Sequence, residues 1–352
     1  MKKLLHIIES LGTGGAEKLV VAVINGLENY EHHLMILNGS EDLRQHIRRS
    51  YFFVNLGIKK WTQLPRGKTE LRRYIRRHGI QLVHSHLYWG NILARLGTPR
   101  HVAQFNSIHA VSSLAAYRVN RLTKLLEEIT YRGRHHIVAV SREVLRDFDE
   151  QVGLKGRSTV LYNFVDENFF APEPKQEFSR GALRMVAVGN LREQKNYFYL
   201  LEAFQHLPQA VSLDIYGEGP LRPAMEEFIV RNNLAVRLCG LSDRLHLLLR
   251  DYDLFVMSSL YEGQPLALLE AMASGLPALL SDIPVLREVA GNDALYFDIS
   301  DPQSFCARVK ELMEGKGSLS QLARGLHRRA REFAHQHQYF ERLNRLYDSE
   351  CA

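Results

Sequence analysis

Two carboxylates bracket a short apolar stretch of the sequence, "YEGQPLALLEAMASGLP", which spans residues 261–277. Glu262 precedes the apolar residues, and Glu270 lies eight positions later. One explanation is that one acid caps a helix while the other lies on its solvent face. A second explanation is that both acids accept hydrogen bonds from hydroxyl groups of a ligand. The first explanation suits either glutamate alone, and the second accounts better for the pair.

The residues around these glutamates predict a helix over 265–274. Pro265 suits the first helical position, where its missing N–H is no loss, and Gly275 suits the end. Glu262 then lies in the preceding loop and Glu270 about one and a half turns into the helix. The first N–H groups of a helix lack intrahelical acceptors, so the helix start can bind an anion. This helix start lies between two carboxylates that can accept hydrogen bonds from hydroxyl groups. A nucleotide sugar offers sugar hydroxyls, a diphosphate and ribose hydroxyls in that order.

A cationic turn, "VGNLREQKN", follows a buried run and precedes a helical segment (residues 188–196). Arg192 and Lys195 stand three positions apart, at a helix start whose dipole disfavours positive charge. This local conflict indicates an anionic ligand such as a diphosphate, which an arginine can bind through two hydrogen bonds and a lysine as a point charge. A solvated basic loop is the alternative interpretation.

Three further stretches follow strand-like runs. "ESLGTGGAEKLV" (residues 9–20) suits close approach to a phosphate at a helix start, but Glu17 occupies the third position of a dinucleotide fingerprint and would repel a pyrophosphate. "DIYGEGP" (residues 214–220) is a second glycine turn, which either approaches a nucleotide or only reverses the chain. "FNSIHAVSS" places His109 just after a strand; a lone histidine is more often structural, but a strand end that faces a cleft favours a functional role.

Composition and charge limit the class of protein. Among 352 residues, 45% are hydrophobic and 24% charged, as in globular proteins, and no apolar run approaches the roughly 20 residues of a membrane span. The three cysteines share no short spacing, which argues against a disulfide framework or a zinc site and favours the cytoplasm. Residues 1–170 contain 25 Lys and Arg against 15 Asp and Glu, whereas the rest contains 20 against 24. The first half is therefore expected to meet something anionic.

The densest basic segment is "RGKTELRRYIRRHGI". As a helix it presents four arginines on one face, opposite Leu71, Tyr74 and Ile75. A solvated face is one interpretation. Contact with anionic lipid is the other, and it would place the protein peripherally at the inner membrane face.

Apolar runs alternate with helical-length segments throughout, which predicts an α/β fold with parallel sheets. Seven such runs precede residue 163 and six follow residue 181, and the proline-containing segment between them is expected to link two domains. We predict Rossmann-like domains over 1–165 and 166–335, a C-terminal helix over 336–352 that returns to the first domain, and a ligand cleft between the domains.

The chain resembles the retaining glycosyltransferases of family 4 (the "glycosyl transferases group 1"), which have the GT-B fold. The matching stretches cover nearly the whole chain: "GGAE", "SIHAV", "LYNFVDENFFAP", "GNLREQKN", "YGEGP" and "EGQPLALLEAMASGLP". The last is the most specific because its two glutamates have the spacing of the family. Gln264 stands where phenylalanine is common, which bears on the donor sugar, and "NFVD" replaces the usual Asn-Gly-Val-Asp.

The resemblance implies roles for individual residues. Arg192 and Lys195 would hold the donor diphosphate, and His109 would contact the donor sugar near the reacting carbon. Glu262 would bind sugar hydroxyls, and Glu270 would bind those of the ribose. The other residues expected to line the donor site or close over it are Gly14, Gly15, Gly189, Gly217, Glu218, Gly263, Gln264, Pro265 and Leu266.

The implied activity is transfer of a hexose or N-acetylhexosamine, with retention, from a nucleotide diphosphate sugar to a hydroxyl of a glycan or lipid-linked acceptor in cell-surface polysaccharide synthesis. A UDP-sugar is expected from family frequency. No cofactor and no metal are expected, because Arg192, Lys195 and helix-start amides can stabilise the departing charge. A nucleotide-sugar epimerase and a non-catalytic sugar-nucleotide-binding subunit remain alternatives. A nucleic-acid binder is disfavoured, because the positive charge lacks interleaved aromatics and a recognisable module.

Overall fold

The computed structural model of the chain describes residues 1–12, 14–114, 121–179, 181–316 and 318–350. The chain divides into two compact units. The first unit comprises Met1–Asn163 together with His337–Ala352, and the second comprises Phe164–Gln336. Within the described residues, no helix combines the length and the apolar character needed to cross a bilayer.

The first unit contains a seven-stranded parallel sheet in the order β3-β2-β1-β4-β5-β6-β7. Its strands are β1 Lys2–Ile8, β2 Tyr30–Ile36, β3 Tyr51–Asn55, β4 Leu82–His86, β5 Ala103–Ile108, β6 His136–Ala139 and β7 Ser158–Val160. Its helices are α1 Gly15–Gly26, α2 Leu64–His78, α3 Tyr88–Gly97, α4 Arg121–Thr130, α5 Arg142–Val152 and, from the C-terminal segment, α13 Gln336–Ser349.

The second unit contains a six-stranded parallel sheet in the order β10-β9-β8-β11-β12-β13. Its strands are β8 Leu183–Val188, β9 Val211–Tyr216, β10 Val236–Gly240, β11 Leu254–Met257, β12 Ala278–Ser281 and β13 Leu295–Phe297. Its helices are α6 Tyr197–Phe204, α7 Arg222–Arg231, α8 Leu245–Leu248, α9 Leu266–Ala273, α10 Pro284–Ala290, α11 Pro302–Met313 and α12 Leu319–Phe333.

Helices cover both faces of a parallel sheet, so its strands are shielded from water and consist mostly of apolar residues. The apolar runs of the sequence therefore form the strands. The central strands β4, β11 and β12 are buried at every position. Each of the thirteen runs expected to form a strand does so, and the prediction of two Rossmann-like parallel sheets is confirmed. The predicted helix over 117–131 is seen as α4, and its first residues lie outside the described part of the chain.

The C-terminal helix α13 packs on the first unit. Tyr347 is fully buried, its ring meets Tyr30 edge to face, and its hydroxyl lies 2.5 Å from Nδ1 of His84 on β4. Leu343 is also fully buried. This helix therefore completes the core of a domain whose strands lie more than 150 residues earlier.

Candidate active site

The sheet of the second unit reverses its strand order between β8 and β11. From β8 the chain builds β9 and β10 on one side, and it then returns to place β11 on the other side. Ligands of open α/β sheets bind beyond the carboxyl ends of the strands at such a reversal, because the two following loops diverge there. The loop after β8 carries Arg192 and Lys195, and the loop after β11 carries Glu262.

Two glycines let the loops after β8 and β9 pack backbone against backbone. A Cβ atom on Gly217 would lie 2.0 Å from the carbonyl oxygen of Gly189. A Cβ atom on Gly189 would lie 2.8 Å from Cε of Lys195. The N–H of Leu191 also donates to the carbonyl of Glu218 over 3.0 Å. Both glycines therefore make room for the lysine-bearing turn.

The lysine-bearing turn is a single 3₁₀ turn, Glu193–Lys195, followed by Asn196 in the left-handed conformation (φ 52°). Lys195 thus lies just before α6, which agrees with the position before a helix that the sequence predicted. The hydroxyl of Ser258 donates to the carbonyl of Lys195 over 2.8 Å, and the N–H of Leu260 donates to the carbonyl of Gln194 over 2.9 Å. The loop after β11 therefore holds the turn in place.

Lys195 and Glu262 form an ion pair at this point. The Nζ atom of Lys195 lies 2.6 Å from Oε1 of Glu262, and the two side chains are 16% and 8% exposed. The hydroxyl of Ser259 donates to the same Oε1 over 2.6 Å. Burial raises the pKa of the neighbouring Tyr197 phenol, and the charge of Glu262 raises it further. An anionic ligand and a hydroxyl-bearing ligand would each find a partner in this pair.

Arg192 lies at the start of the same turn, and its side chain is exposed. Its guanidinium makes no hydrogen bond or ion pair with other side chains in the described part of the chain. The guanidinium is therefore available to an incoming anion without breaking an existing contact.

Helix α9 places the second glutamate. Pro265 is the N-cap residue, with extended backbone angles (φ −76°, ψ 112°), so the helix begins at Leu266, one residue later than expected. Gly275 ends it with a φ of 72°, as its position after the apolar run predicted. Leu268, Leu269 and Met272 are buried, whereas Glu270 is half-buried on the same face as Leu266, four residues earlier. Glu270 therefore lies on the helix face that also carries Leu266, the first residue of the helix.

The remaining residues expected in the donor site have different surroundings. Gly263, Gln264 and Pro265 are buried in the loop before α9. Glu218 is exposed and pairs with Arg222 on α7, with 2.8 Å between the charged atoms. A ligand that used the Glu218 carboxylate would compete with this arginine.

In the first unit, His109 follows β5 and contacts a second histidine. Its Nε2 atom lies 3.3 Å from Nδ1 of His86 at the end of β4. Burial lowers the pKa of His109 to about 4, so the ring is neutral at neutral pH. His109 and Asn91 line a cavity of about 210 Å³. The sequence signalled His109 by its position after a strand, whereas it did not signal His86.

Glu9 is a residue of this unit that sequence reasoning missed. It follows β1, and Oε1 accepts a 2.7 Å hydrogen bond from the N–H of Trp89 at the start of α3. Burial raises its pKa, and the nearby Glu17 carboxylate raises it further. The strand order reverses between β1 and β4, so Glu9 lies where ligands of such sheets bind. Its position as the first acid after a strand was the available signal.

Gly14 is the N-cap residue of α1, and Gly15 is its first residue. The atoms nearest to a Cβ atom on Gly14 would be those of the flexible Glu17 side chain, the first at 2.4 Å. These two glycines and His109 belong to the first unit, and the other expected site residues belong to the second. The cleft between the units remains a prediction.

Three buried histidines of the first unit offer ring nitrogens within 4.8 Å of one another: His6, His84 and His86. Both ring nitrogens of His84 already have partners, the hydroxyls of Tyr347 at 2.5 Å and Ser107 at 2.7 Å. A metal ion would have to displace one of these hydrogen bonds, so the group forms part of the buried core.

Comparison with known families identifies the chain. The family described as "Glycosyl transferases group 1" matches residues 182–315, and the one described as "Glycosyltransferase Family 4" matches residues 13–169. The protein belongs to glycosyltransferase family 4. The resemblance found from the sequence motifs is thereby confirmed, and the chain is a transferase.

Two relatives are enzymes that act on lipid-linked sugars according to their names. One is the N-acetylgalactosamine-N,N'-diacetylbacillosaminyl-diphospho-undecaprenol 4-alpha-N-acetylgalactosaminyltransferase of Campylobacter jejuni, 24% identical over 89% of this chain and 91% of that protein. The other is the UDP-Gal:alpha-D-GlcNAc-diphosphoundecaprenol alpha-1,3-galactosyltransferase of Escherichia coli, 28% identical over 70% of each chain.

The fold is also that of solved glycosyltransferases. HepE of Anabaena, whose crystal structure contains UDP, superimposes with a TM-score of 0.84 at 15% identity and covers 99% of this chain and 100% of its own. At this level of identity the likeness concerns the fold alone. The GT-B fold expected from the sequence is confirmed.

Proposed function

We propose that this protein is a retaining glycosyltransferase that moves a hexose or N-acetylhexosamine from a UDP-sugar to a hydroxyl of a glycan or lipid-linked acceptor. The observation that carries the proposal is the buried Lys195–Glu262 pair at the strand reversal between β8 and β11. It places a cation suited to a diphosphate beside a carboxylate suited to sugar hydroxyls. The UDP bound to HepE and the UDP-galactose in the name of the Escherichia coli relative support the choice of donor.

Donor binding exchanges partners within this pair. The diphosphate takes Lys195 from Glu262 and gains Arg192, whose guanidinium has no side-chain partner among the described residues. Glu262, still held by Ser259, then accepts a hydrogen bond from a sugar hydroxyl. Glu270 on α9 accepts from the ribose, and the N–H groups at the start of α9 face the phosphates.

In the transfer step, the bond between the anomeric carbon and the diphosphate oxygen breaks. Its electron pair leaves with the UDP, whose negative charge Arg192 and Lys195 stabilise. The acceptor hydroxyl attacks from the face that the leaving group vacates, and its proton passes to the departing phosphate oxygen. The anomeric configuration is retained without a sugar–enzyme bond. No metal is required in this proposal, because protein cations supply the positive charge.

The acceptor class follows from the relatives and the charge distribution. Both relatives are named for undecaprenol-diphosphate-linked substrates. An acceptor of this kind lies in a membrane, and the excess of cations in residues 1–170 suits anionic lipid. The proposed setting is cell-surface polysaccharide synthesis at the inner membrane face.

Product analysis tests the proposal. The purified protein is incubated with UDP-glucose, UDP-galactose, UDP-N-acetylglucosamine or UDP-N-acetylgalactosamine, with and without undecaprenyl-diphosphate-linked saccharides and with EDTA. We expect a glycosylated acceptor by mass spectrometry, a retained anomeric configuration by NMR, and a rate that EDTA leaves unchanged. Conversion of a donor without acceptor would indicate an epimerase, and donor binding without transfer would indicate a partner subunit. An inverted product would contradict the mechanism.

A further inference from the structure

Helix α4 (Arg121–Thr130) turns three large apolar side chains outward and buries one of its acids, unlike an ordinary surface helix. Leu122, Leu125 and Ile129 are 45%, 50% and 51% exposed, and their spacing places them on one outward stripe. The opposite face buries Glu127, which forms an ion pair with Arg95 on α3. Burying an ion pair is costly, whereas leucine and isoleucine usually turn inward. Apolar side chains therefore occupy the exposed stripe, where polar side chains are usual.

Helix α2 (Leu64–His78) presents a cationic face. Leu71 and Ile75 are buried, and on the opposite face four arginines are exposed. These arginines are Arg72, Arg73, Arg76 and Arg77. Residues 59–100 contain ten Lys and Arg and a single acid, Glu70, which pairs with Arg66. Within the described residues, none of the four arginines forms an ion pair.

The two helices belong to one layer. Ile75 of α2, Leu93 of α3 and Leu126 of α4 pack into the same hydrophobic cluster, so the three helices cover one side of the sheet. Two neighbours in such a layer lie 8–10 Å apart. The apolar stripe of α4 and the cationic face of α2 are therefore within about 20 Å of each other.

Further cations join the two helices at the carboxyl end of α3. Arg72 donates to the carbonyl of Gly97 over 3.3 Å, and Arg134 donates to the carbonyl of Thr98 over 3.2 Å. The pKa of Arg134 is lowered, first by burial and then by the charges of Arg100 and Arg72. The guanidinium groups thus form a continuous positive region from α2 to the loop after α4.

We propose that the outer side of this helical layer docks on an anionic lipid bilayer. Leu122, Leu125 and Ile129 enter the boundary between headgroups and acyl chains, and the arginines of α2 contact lipid phosphates. Amphipathic surfaces bind membranes by this combination of apolar insertion and cationic attraction. This inference rests on the proposed function, which includes contact with a membrane, and it assigns that contact to a defined surface. Docking on a bilayer can be measured without sugar transfer, so the two proposals can fail separately.

A second copy of the chain fits this surface less well than lipid does. A symmetric pair in which α2 meets α2 would place the arginines of one copy against those of the other, and like charges across an interface oppose association. A symmetric pair in which α2 meets α4 would set the arginines of both copies against the apolar stripe, which offers them no anionic partners. Anionic lipid supplies the opposite charge and an apolar interior together. The charge of the surface therefore favours the bilayer.

Vesicle co-sedimentation of the full chain tests docking. The vesicles contain phosphatidylcholine alone, or equal parts of phosphatidylcholine and phosphatidylglycerol. A stripe variant carries Leu122→Ser, Leu125→Ser and Ile129→Ser, and a charge variant carries Arg73→Glu and Arg76→Glu. We expect the wild type to bind the anionic vesicles and each variant to bind them at least tenfold more weakly. Low salt is expected to strengthen wild-type binding and to leave the stripe variant weaker than the wild type.

Matched controls lie elsewhere on the protein. Val230→Ser with Leu247→Ser removes two apolar side chains of the second unit that are 79% and 61% exposed. Arg342→Glu with Arg345→Glu reverses two exposed charges on α13. Both controls are expected to bind like the wild type, and melting temperatures verify that all variants fold. No wild-type binding to anionic vesicles, or equal losses in the controls, would overturn the proposal. So would light scattering that shows a dimer which the stripe variant abolishes.

Discussion

At the scale of single residues, the Lys195–Glu262 pair combines a structural role with the chemical role proposed above. Both side chains are largely buried, and each compensates the charge of the other. Removing one partner leaves the second charge with less compensation, so a substitution affects stability as well as ligand binding. A test of the chemical role therefore has to separate these two effects.

We predict that Lys195→Ala lowers the turnover number at least a hundredfold, because a preorganised cation on the departing phosphate is lost. Turnover is measured as UDP release that depends on acceptor, and stability is measured by thermal unfolding. The double variant Lys195→Met with Glu262→Gln removes both charges and is expected to melt near the wild type while remaining inactive. Lys310→Ala, at an exposed position of the same unit, serves as the control. Wild-type turnover in Lys195→Ala would remove the lysine from the mechanism.

At the scale of elements, the site depends on close backbone packing between the loops after β8 and β9. The N–H of Gly189 donates to the carbonyl of Tyr216 over 2.9 Å, and the N–H of Leu221 donates to the carbonyl of Leu191 over 3.2 Å. These bonds fix the path of the chain that carries the lysine-bearing turn. A side chain introduced between the loops would push backbone against backbone, where little relaxation is available.

We predict that Gly217→Ala destabilises the protein by more than Gly315→Ala. Both glycines have a positive φ, so both substitutions cost about 1–2 kcal/mol of backbone strain. Among the described residues, a Cβ atom at position 315 meets nothing within 4 Å, whereas one at 217 lies 2.0 Å from a carbonyl oxygen. Overpacking adds about 1–3 kcal/mol. The free energy of unfolding from urea titrations measures the difference, and equal losses would contradict the close packing of the loops.

At the scale of the whole molecule, the first unit contains a group of buried neutral histidines. Burial lowers the pKa of His84 and His135 to about 3 and that of His109 to about 4, and it also lowers the pKa of His6 and His86. The unfolded chain takes up protons below about pH 6.5, the ordinary histidine pKa, while these rings stay neutral in the fold. Stability from this source is complete above pH 6.5 and falls as the pH decreases toward 4.

We predict that acid destabilises the first unit between pH 6.5 and 4.5. Each histidine that stays neutral in the fold reduces the free energy of unfolding by about 1.4 kcal/mol per pH unit below its ordinary pKa. Trp61 and Trp89, the two tryptophans of the chain, both lie in the first unit, so tryptophan fluorescence monitors that unit alone. Urea midpoints by fluorescence are expected to fall steeply between pH 6.5 and 4.5. Midpoints that stay constant over this range would show that the histidines are protonated in the fold.

The local pattern of the sequence determined the secondary structure almost completely. Strands and helices follow from apolar periodicity and from the glycine and proline residues at their ends, and both act over a few residues. The same short-range signals marked Arg192, Lys195, Glu262 and Glu270 as candidates for a chemical role. They also indicated the cationic face of α2.

Only the tertiary structure brought Lys195 and Glu262 together, across 67 positions of the chain. The contact depends on β8 and β11 being neighbours in the sheet, and strand order is set by packing between distant segments that no local pattern records. For the same reason, the sequence did not predict the buried histidine group of the first unit or the burial of Glu127 on α4. Periodicity alone cannot show that Glu127 turns inward to Arg95 while Leu125 turns outward, because the partner that decides the orientation comes from another helix.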